Sequence, residues 1–139
     1  MSVDLDIMYQ NLEKFENHKG FGVLTKIFIP RGTIVLLFKG PIYDKDSCPD
    51  FGQAIQVDVD KWMGSSGGLD DLVNHSCNPN LGILQAGDSH YLVAIKNIEV
   101  NEELTWDYST SMVNEPWDLE NCKCGSHDCR RTIQDIFSL

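Results

Sequence analysis

The sequence predicts one mostly β domain, and three observations predict it. Apolar residues come in short alternating or β-branched runs, Gly- and Pro-containing turns separate those runs, and apolar residues at helical spacing are confined to the last few residues. The chain has 139 residues, 42% of them apolar and 23% charged, which suits a single domain rather than wholesale disorder. A domain of this size buries about two thirds of its unfolded surface, enough for one modest core.

Element by element, Val3, Leu5, Ile7 and Tyr9 alternate with polar residues, which predicts a strand or extended arm over residues 1–11. Lys19-Gly20-Phe21-Gly22 reads as a turn, and Val23 to Ile29 as a strand stopped by Pro30-Arg31-Gly32. Thr33 to Phe38 is β-branched and apolar and ends at Gly40-Pro41, so residues 20–40 are expected to form a hairpin-like pair. Asp44 to Gly52 is polar loop, and Ala54 to Asp60 alternates as a strand with one wet face does. Gly64-Ser65-Ser66-Gly67-Gly68 is a flexible turn, after which Asp70 or Asp71 is placed to cap a short helix. His90 to Ile95 is a strand, Ile98 to Leu104 holds a polar turn, and Leu104 to Tyr108 is extended. Ile133, Ile136 and Phe137 have the spacing of a short terminal helix.

Charge narrows the function classes. The formal net charge is -10, with 11 basic side chains against 21 acidic ones, which argues against direct nucleic-acid binding through phosphates. From Trp62 to Cys122 there are ten acidic side chains and one basic one, Lys96, a local net of -9. That asymmetry either serves solubility or attracts a basic partner by focusing the field in an acidic cleft. The run Ile34–Phe38 is far short of the roughly 18 apolar residues a membrane span needs, so no membrane association is expected. The opening MSVDLDIMYQ has neither a basic segment nor an apolar stretch, so no secretory signal is expected and an intracellular location, nuclear or cytoplasmic, follows.

The five cysteines are Cys48, Cys77, Cys122, Cys124 and Cys129. An odd number with three crowded near the end does not suit a disulfide framework, and in a reducing compartment such a cluster points to metal. Cys122, Cys124 and Cys129 supply three thiols, one fewer than a closed tetrahedral zinc site needs. Cys77, in Asn74-His75-Ser76-Cys77-Asn78-Pro79-Asn80, is the leading fourth ligand, His127 is the local rival, and Cys48 is a third option. Four sulfurs leave no open position for water, so the zinc would be structural, tying the last residues to the middle of the chain.

Four segments in this order resemble the SET-domain protein lysine methyltransferases with their cysteine-rich post-SET tail. They are Gly20-Phe21-Gly22-Val23, the Asn74–Asn80 stretch, Glu103-Leu104-Thr105-Trp106-Asp107-Tyr108, and the Cys122–Cys129 cluster. The resemblance spans about residues 12 to 132 and divides the chain into an N-terminal arm (1–11), a SET domain (12–112) and a post-SET zinc-binding tail (113–139). It implies small β-sheets around a pseudoknot-like threading, in which the chain near Tyr108 passes beneath a loop near Asn74. It implies that S-adenosylmethionine binds on one face, that a substrate lysine enters from the other, and that the two meet in a narrow channel. By the same resemblance, Lys19, Gly20, Phe21, Gly22, Asn74, His75, Tyr108 and Trp117 would hold the cofactor. Trp106 and Tyr108 would line the lysine channel, and Cys77 would complete the zinc set with Cys122, Cys124 and Cys129.

The chemistry assigned to these residues is physical. Methyl transfer needs a neutral amine, whereas a free lysine titrates near pH 10.4; an apolar channel favours the neutral form by desolvation. Proximity and in-line approach supply much of the rest. Tyr108 is expected to orient the amine or the methyl; with a reference pKa of about 10, a tyrosine is a poor general base. Gly20 and Gly22 serve either close backbone approach to a ligand or a positive φ, or form a plain hairpin turn. Asn74 would hydrogen-bond the cofactor's amino-acid end and the His75 backbone its adenine, with the His75 ring a buried brace rather than a catalytic base. Asn78 or Asn80 is suited to an Asx turn. Trp117 either covers the adenine or packs the tail on the core, and Phe21 either touches the cofactor or covers the core.

Two departures from the family pattern stand out. Trp106 occupies a position usually held by Phe or Tyr; it restricts the number of methyl groups, widens the site or marks a changed substrate. Asp70-Asp71 stand where many histone-directed members carry an Arg and an aromatic residue, which either recruits a basic peptide or changes local structure. The expected function is S-adenosylmethionine-dependent methylation of lysine in a protein, a histone or another basic protein. The alternative is a methyl-inactive SET-like module that binds a protein or the cofactor.

Overall fold

The structure, a computed structural model, describes residues 5–18, 20–44, 47, 55–58, 61–108, 118–119, 129 and 133–134. Its elements are α1 (Leu5–Gln10), β1 (Leu12–Asn17), β2 (Gly20–Thr25), β3 (Ile34–Leu37), β4 (Ile42–Asp44), β5 (Ile55–Asp58), β6 (Lys61–Met63), a 3₁₀ turn (Leu69–Leu72), β7 (Asn74–His75), β8 (Leu81–Ala86), β9 (Ser89–Ala94), β10 (Thr105–Trp106), β11 (Asp118–Leu119) and β12 (Ile133–Gln134). The mostly β expectation holds.

Among the described residues the strands form five small sheets: β1-β2, β3-β9-β8, β4-β6-β5, β11-β12, all antiparallel, and the parallel pair β7-β10. Antiparallel pairs can close through local turns, as β1-β2 and β8-β9 do, whereas a parallel pair needs a long crossover. The crossover here is residues 76–104, which includes the β8-β9 hairpin.

The core lies where these sheets meet. Val23 of β2, Val35 and Leu36 of β3, Leu92 of β9, and Ile29, Ile98 and Leu104 from the connecting segments are almost fully buried. Each fully buried aliphatic side chain stabilises by roughly 1.5–3 kcal/mol, which is how strands of two to six residues hold together. Connecting segments are laced as well as packed. Ile29 and Ile98 exchange backbone hydrogen bonds of 2.9 and 2.8 Å, and the Leu104 N–H donates to Val23 O at 2.8 Å. Thr25, fully buried, satisfies its hydroxyl locally: it donates to Ile27 O at 2.7 Å and accepts from Ile27 N–H at 3.1 Å.

Four expectations are corrected. Residues 5–10 are a short helix, not a strand or arm. Leu5, Met8 and Tyr9 are half-buried at i, i+3 and i+4 while Ile7 is exposed, so the helical period outranks the alternation. Residues 20–40 are not a hairpin: β2 pairs with β1 and β3 with β9. Leu12–Asn17 alternates poorly, which hid the true partner of β2. Residues 133–134 are a strand paired with β11 rather than the start of a helix. The residue capping the 3₁₀ turn is Gly68, with Asp70 and Asp71 inside its first turn.

His90 on β9 is buried, and among the described residues its Nδ1 has no hydrogen-bond partner. Burial lowers its pKa from the usual 6.5, since the charged ring would lose hydration. The unfolded chain therefore takes up a proton at His90 that the folded chain refuses. Its contribution is intact above pH 6.5 and is lost as pH falls toward the folded pKa. The urea midpoint is expected to drop between about pH 7 and pH 5.5, with a shallower slope in His90→Gln. An identical slope in that variant would show that another group carries the acid sensitivity.

Candidate active site

The parallel pair places Thr105 opposite Asn74 and Trp106 opposite His75, and the Ser76 N–H donates to Trp106 O at 3.0 Å. Buried Asn80 locks this pairing with its side chain. Its Nδ2 donates to Glu103 O at 2.8 Å and Glu102 Oε2 at 2.9 Å, and its Oδ1 accepts from Thr105 N–H at 2.9 Å. Asn80 is thus a clamp across the crossover rather than an Asx turn; the local turn uses the Ser76 hydroxyl, which accepts from Asn78 N–H.

Past β10 the chain reaches Tyr108, which is fastened at two points, to His75 of β7 and to Val73 just before it. Its N–H donates to His75 Nδ1 at 3.0 Å, and its hydroxyl donates to Val73 O at 2.8 Å. The phenol proton is committed to Val73, so the oxygen lone pairs are what Tyr108 can offer a ligand. The rings of Phe38, Trp106, Tyr108 and His75 form a row with successive centroid distances of 5.5, 5.0 and 5.2 Å. Trp106 is buried inside that row.

His75 is also buried. Because Nδ1 accepts from the Tyr108 backbone, the ring proton belongs on Nε2, which lies 3.3 Å from Cys77 Sγ and donates to it. The Asp107 carboxylate lies 3.7 Å from Nδ1, too far for a hydrogen bond and facing an unprotonated nitrogen, so this approach is not an ion pair. Both ring nitrogens are committed, and the His75 ring braces Tyr108 and Cys77.

On the other side, Asn74 Nδ2 donates to Phe21 O at 2.8 Å and to Glu103 Oε2 at 2.9 Å. Phe21, Asn74, His75, Trp106 and Tyr108 therefore form one contiguous group. The two glycines differ in their reasons. Gly20 has φ +113°, the left-handed region that favours glycine. At Gly22 a Cβ would lie 2.5 Å from the Phe15 ring and 2.8 Å from Glu103 Oε2, so the missing side chain makes room for protein atoms. Phe21 is exposed rather than covering the core, and Lys14 Nζ lies 4.9 Å from its ring centroid. Lys19, Trp117, Cys122 and Cys124 lie outside the described residues, as do the alternative ligands Cys48 and His127. Cys77 and Cys129 are half-buried, and among the described residues no group of three metal-ligating side chains occurs.

Sequence reasoning gave Glu103 no role of its own and left Asp70-Asp71 open between recruiting a basic peptide and shaping local structure; the structure shows the local role. Asp71 accepts from Ser66 N–H at 3.0 Å and Gly67 N–H at 2.7 Å, and Asp70 accepts from Lys39 N–H at 3.2 Å. With the Ser66 hydroxyl also donating to Asp70, this acidic pair ties down the Gly64–Gly68 loop. The signal was the Ser-Ser-Gly-Gly run just before two aspartates, whose backbone N–H groups need acceptors.

With this geometry in place, comparison with known proteins is direct. Residues 20–109 match the family described as SET domain, and the chain belongs to that family. It is 30% identical to the H3 lysine-9 specific histone-lysine N-methyltransferase of Schizosaccharomyces pombe, over 86% of this chain and 32% of that protein. It is 33% identical to the histone-lysine N-methyltransferase ash1 of Drosophila melanogaster, over 83% of this chain and 6% of that protein. Among solved structures it resembles KRYPTONITE in complex with mCHH DNA, an H3(1-15) peptide and SAH, with TM-score 0.73 and 26% identity over 88% of this chain and 29% of that one. The chain thus spans a third or less of the relatives it matches.

The clamp gives a prediction. Asn80→Ala leaves Glu103 O and Thr105 N–H without their partner and is expected to cost roughly 2–4 kcal/mol in urea unfolding. Asn80→Asp should do no better, since a carboxylate cannot donate and would face Glu102. A loss below about 0.5 kcal/mol in both would show that the crossover holds without the clamp.

Proposed function

We propose that this chain transfers methyl groups from S-adenosylmethionine to the side-chain amine of lysine in a protein, with a histone or another basic protein as substrate. The observation that carries the reading is the double fastening of Tyr108 to Val73 and His75, beside Asn74, within a SET domain. Membership of a family whose matched relatives are named histone-lysine N-methyltransferases supports the reaction class. The neighbour bound to an H3 peptide and SAH supports a peptide substrate and this cofactor. The net charge of -10 favours a basic partner and disfavours contact with nucleic acid. Action on a histone would place the chain in the nucleus; no described helix is long and apolar enough to cross a membrane.

When bound, S-adenosylmethionine supplies an activated methyl on a sulfonium, which the lysine nitrogen takes in line as the carbon–sulfur bond breaks and its electron pair stays on sulfur. Asn74, Phe21 and the backbone from Gly20 to Gly22 would hold its amino-acid end and flank, with Lys19 and Trp117 as further contacts. Buried Trp106 and the Tyr108 ring would form apolar walls that favour the neutral amine by desolvation. The Tyr108 oxygen, its own proton held by Val73, would accept a hydrogen bond from the amine or meet the polarised methyl. His75 would keep that oxygen in place without itself taking the amine proton, because its Nδ1 is already an acceptor.

The tail would be held by zinc through Cys77, Cys122, Cys124 and Cys129. The donor chemistry at Cys77 fits: a nitrogen that donates at 3.3 Å suits a metal-bound thiolate, which accepts but cannot donate. Zinc there would supply folding energy, not catalysis.

Tyr108→Phe is expected to keep the fold and most cofactor binding but lose at least about a hundredfold in transfer of labelled methyl to histone proteins. Unchanged transfer would remove the role given to Tyr108, and cofactor binding without any transfer by the unaltered chain would favour the binding-module alternative. Cys129→Ser is expected to lose bound zinc by elemental analysis; an unchanged metal content would remove Cys129 from the ligand set.

A further inference from the structure

The Glu103 side chain lies against both the glycine strand and the asparagine strand of the site. Its backbone is pinned from two sides: its carbonyl accepts from Asn80 Nδ2 at 2.8 Å, and the residue bridges Leu24 of β2. Its Oε2 then fills the space that Gly22 leaves, 2.8 Å from where a Cβ would stand, and accepts from Asn74 Nδ2 at 2.9 Å.

An amide nitrogen has two hydrogens. At Asn74 they go to Phe21 O at 2.8 Å and to Glu103 Oε2. Both partners are acceptors only, a carbonyl and a carboxylate, so the amide has one orientation. Turned the other way, its oxygen would face two oxygens, one of them charged. The atom left to a ligand is Oδ1.

We propose that Glu103 is a positioning residue that turns the Asn74 amide so that its oxygen receives the ammonium of the cofactor's amino-acid end. This rests on the reading of the site as an S-adenosylmethionine site and adds a residue to it. The ammonium has only donors, so an amide that could rotate would present N–H to N–H for part of the time. The Glu103 carboxylate removes that orientation and adds a negative charge that favours the cation. Gly22 is part of the same device, since any larger residue would displace the carboxylate.

The test uses the full zinc-loaded chain, calorimetric titration and three ligands. S-adenosylmethionine and S-adenosylhomocysteine carry the ammonium, and methylthioadenosine lacks the amino-acid end. Glu103→Ala is expected to weaken the first two about tenfold and the third less than twofold. Glu103→Gln, which still offers an amide oxygen to Asn74, should recover most of the loss and guards against a variant that fails to fold. In an Asn74→Ala background, Glu103→Ala should have little further effect. Wild-type affinity for S-adenosylmethionine in Glu103→Ala, equal weakening of all three ligands, or full additivity with Asn74→Ala would overturn the proposal while leaving the cofactor reading intact. Absence of S-adenosylmethionine binding by the unaltered chain would instead remove the cofactor reading and this inference with it.

Discussion

The parallel pairing of two-residue strands, Asn74–His75 with Thr105–Trp106, is the constraint on which the rest depends. Two residues per strand make few hydrogen bonds, and a parallel pair closed by a long crossover is entropically costly. It persists because side chains add to it. Asn80 grips both the carbonyl of Glu103 and the N–H of Thr105, and Val23 accepts from Leu104 between them. Remove the pairing, and Tyr108 has no reason to lie near Val73 or His75.

That constraint also accounts for the polarity of the site. The loop on one side presents acceptors and aromatic walls; the other presents the Phe21 carbonyl and an amide with fixed direction. His75 joins the two functions of its segment, bracing Tyr108 through Nδ1 and donating toward Cys77 through Nε2. Any tail held at Cys77 is therefore two hydrogen bonds from the tyrosine backbone. Acidic side chains do different jobs within a short distance. Asp70 and Asp71 satisfy a glycine- and serine-rich loop, and Glu102 and Glu103 face the asparagines. The charge excess in the middle of the chain thus has local structural uses.

Where the sequence was legible, periodicity or a turn signal was strong: β3, β5 and β9 sit where β-branched or alternating runs predict them. The N-terminal segment misled because Leu5, Ile7 and Tyr9 fit period two as well as Leu5, Met8 and Tyr9 fit the helix, and only packing against the core decides. Strand β1 was hidden because its Glu-Lys-Phe-Glu-Asn run has one wet edge and little apolar signal. Pairing partners were the least legible feature, since register between distant strands is set by tertiary contact. The Asn74–Asn80 and Glu103–Tyr108 stretches, singled out by resemblance, are brought together by the β7-β10 pairing. Glu103, though part of one of these stretches, was given no role because a glutamate in an acidic stretch looks like any solvated charge until its neighbour across the fold is known.

The most direct test is a crystal structure of the chain grown with S-adenosylhomocysteine. The account predicts the ligand's ammonium against Asn74 Oδ1 and its sulfur facing the Tyr108 hydroxyl. A ligand bound away from both, with Asn74 and Tyr108 unaltered and unvisited, would contradict it.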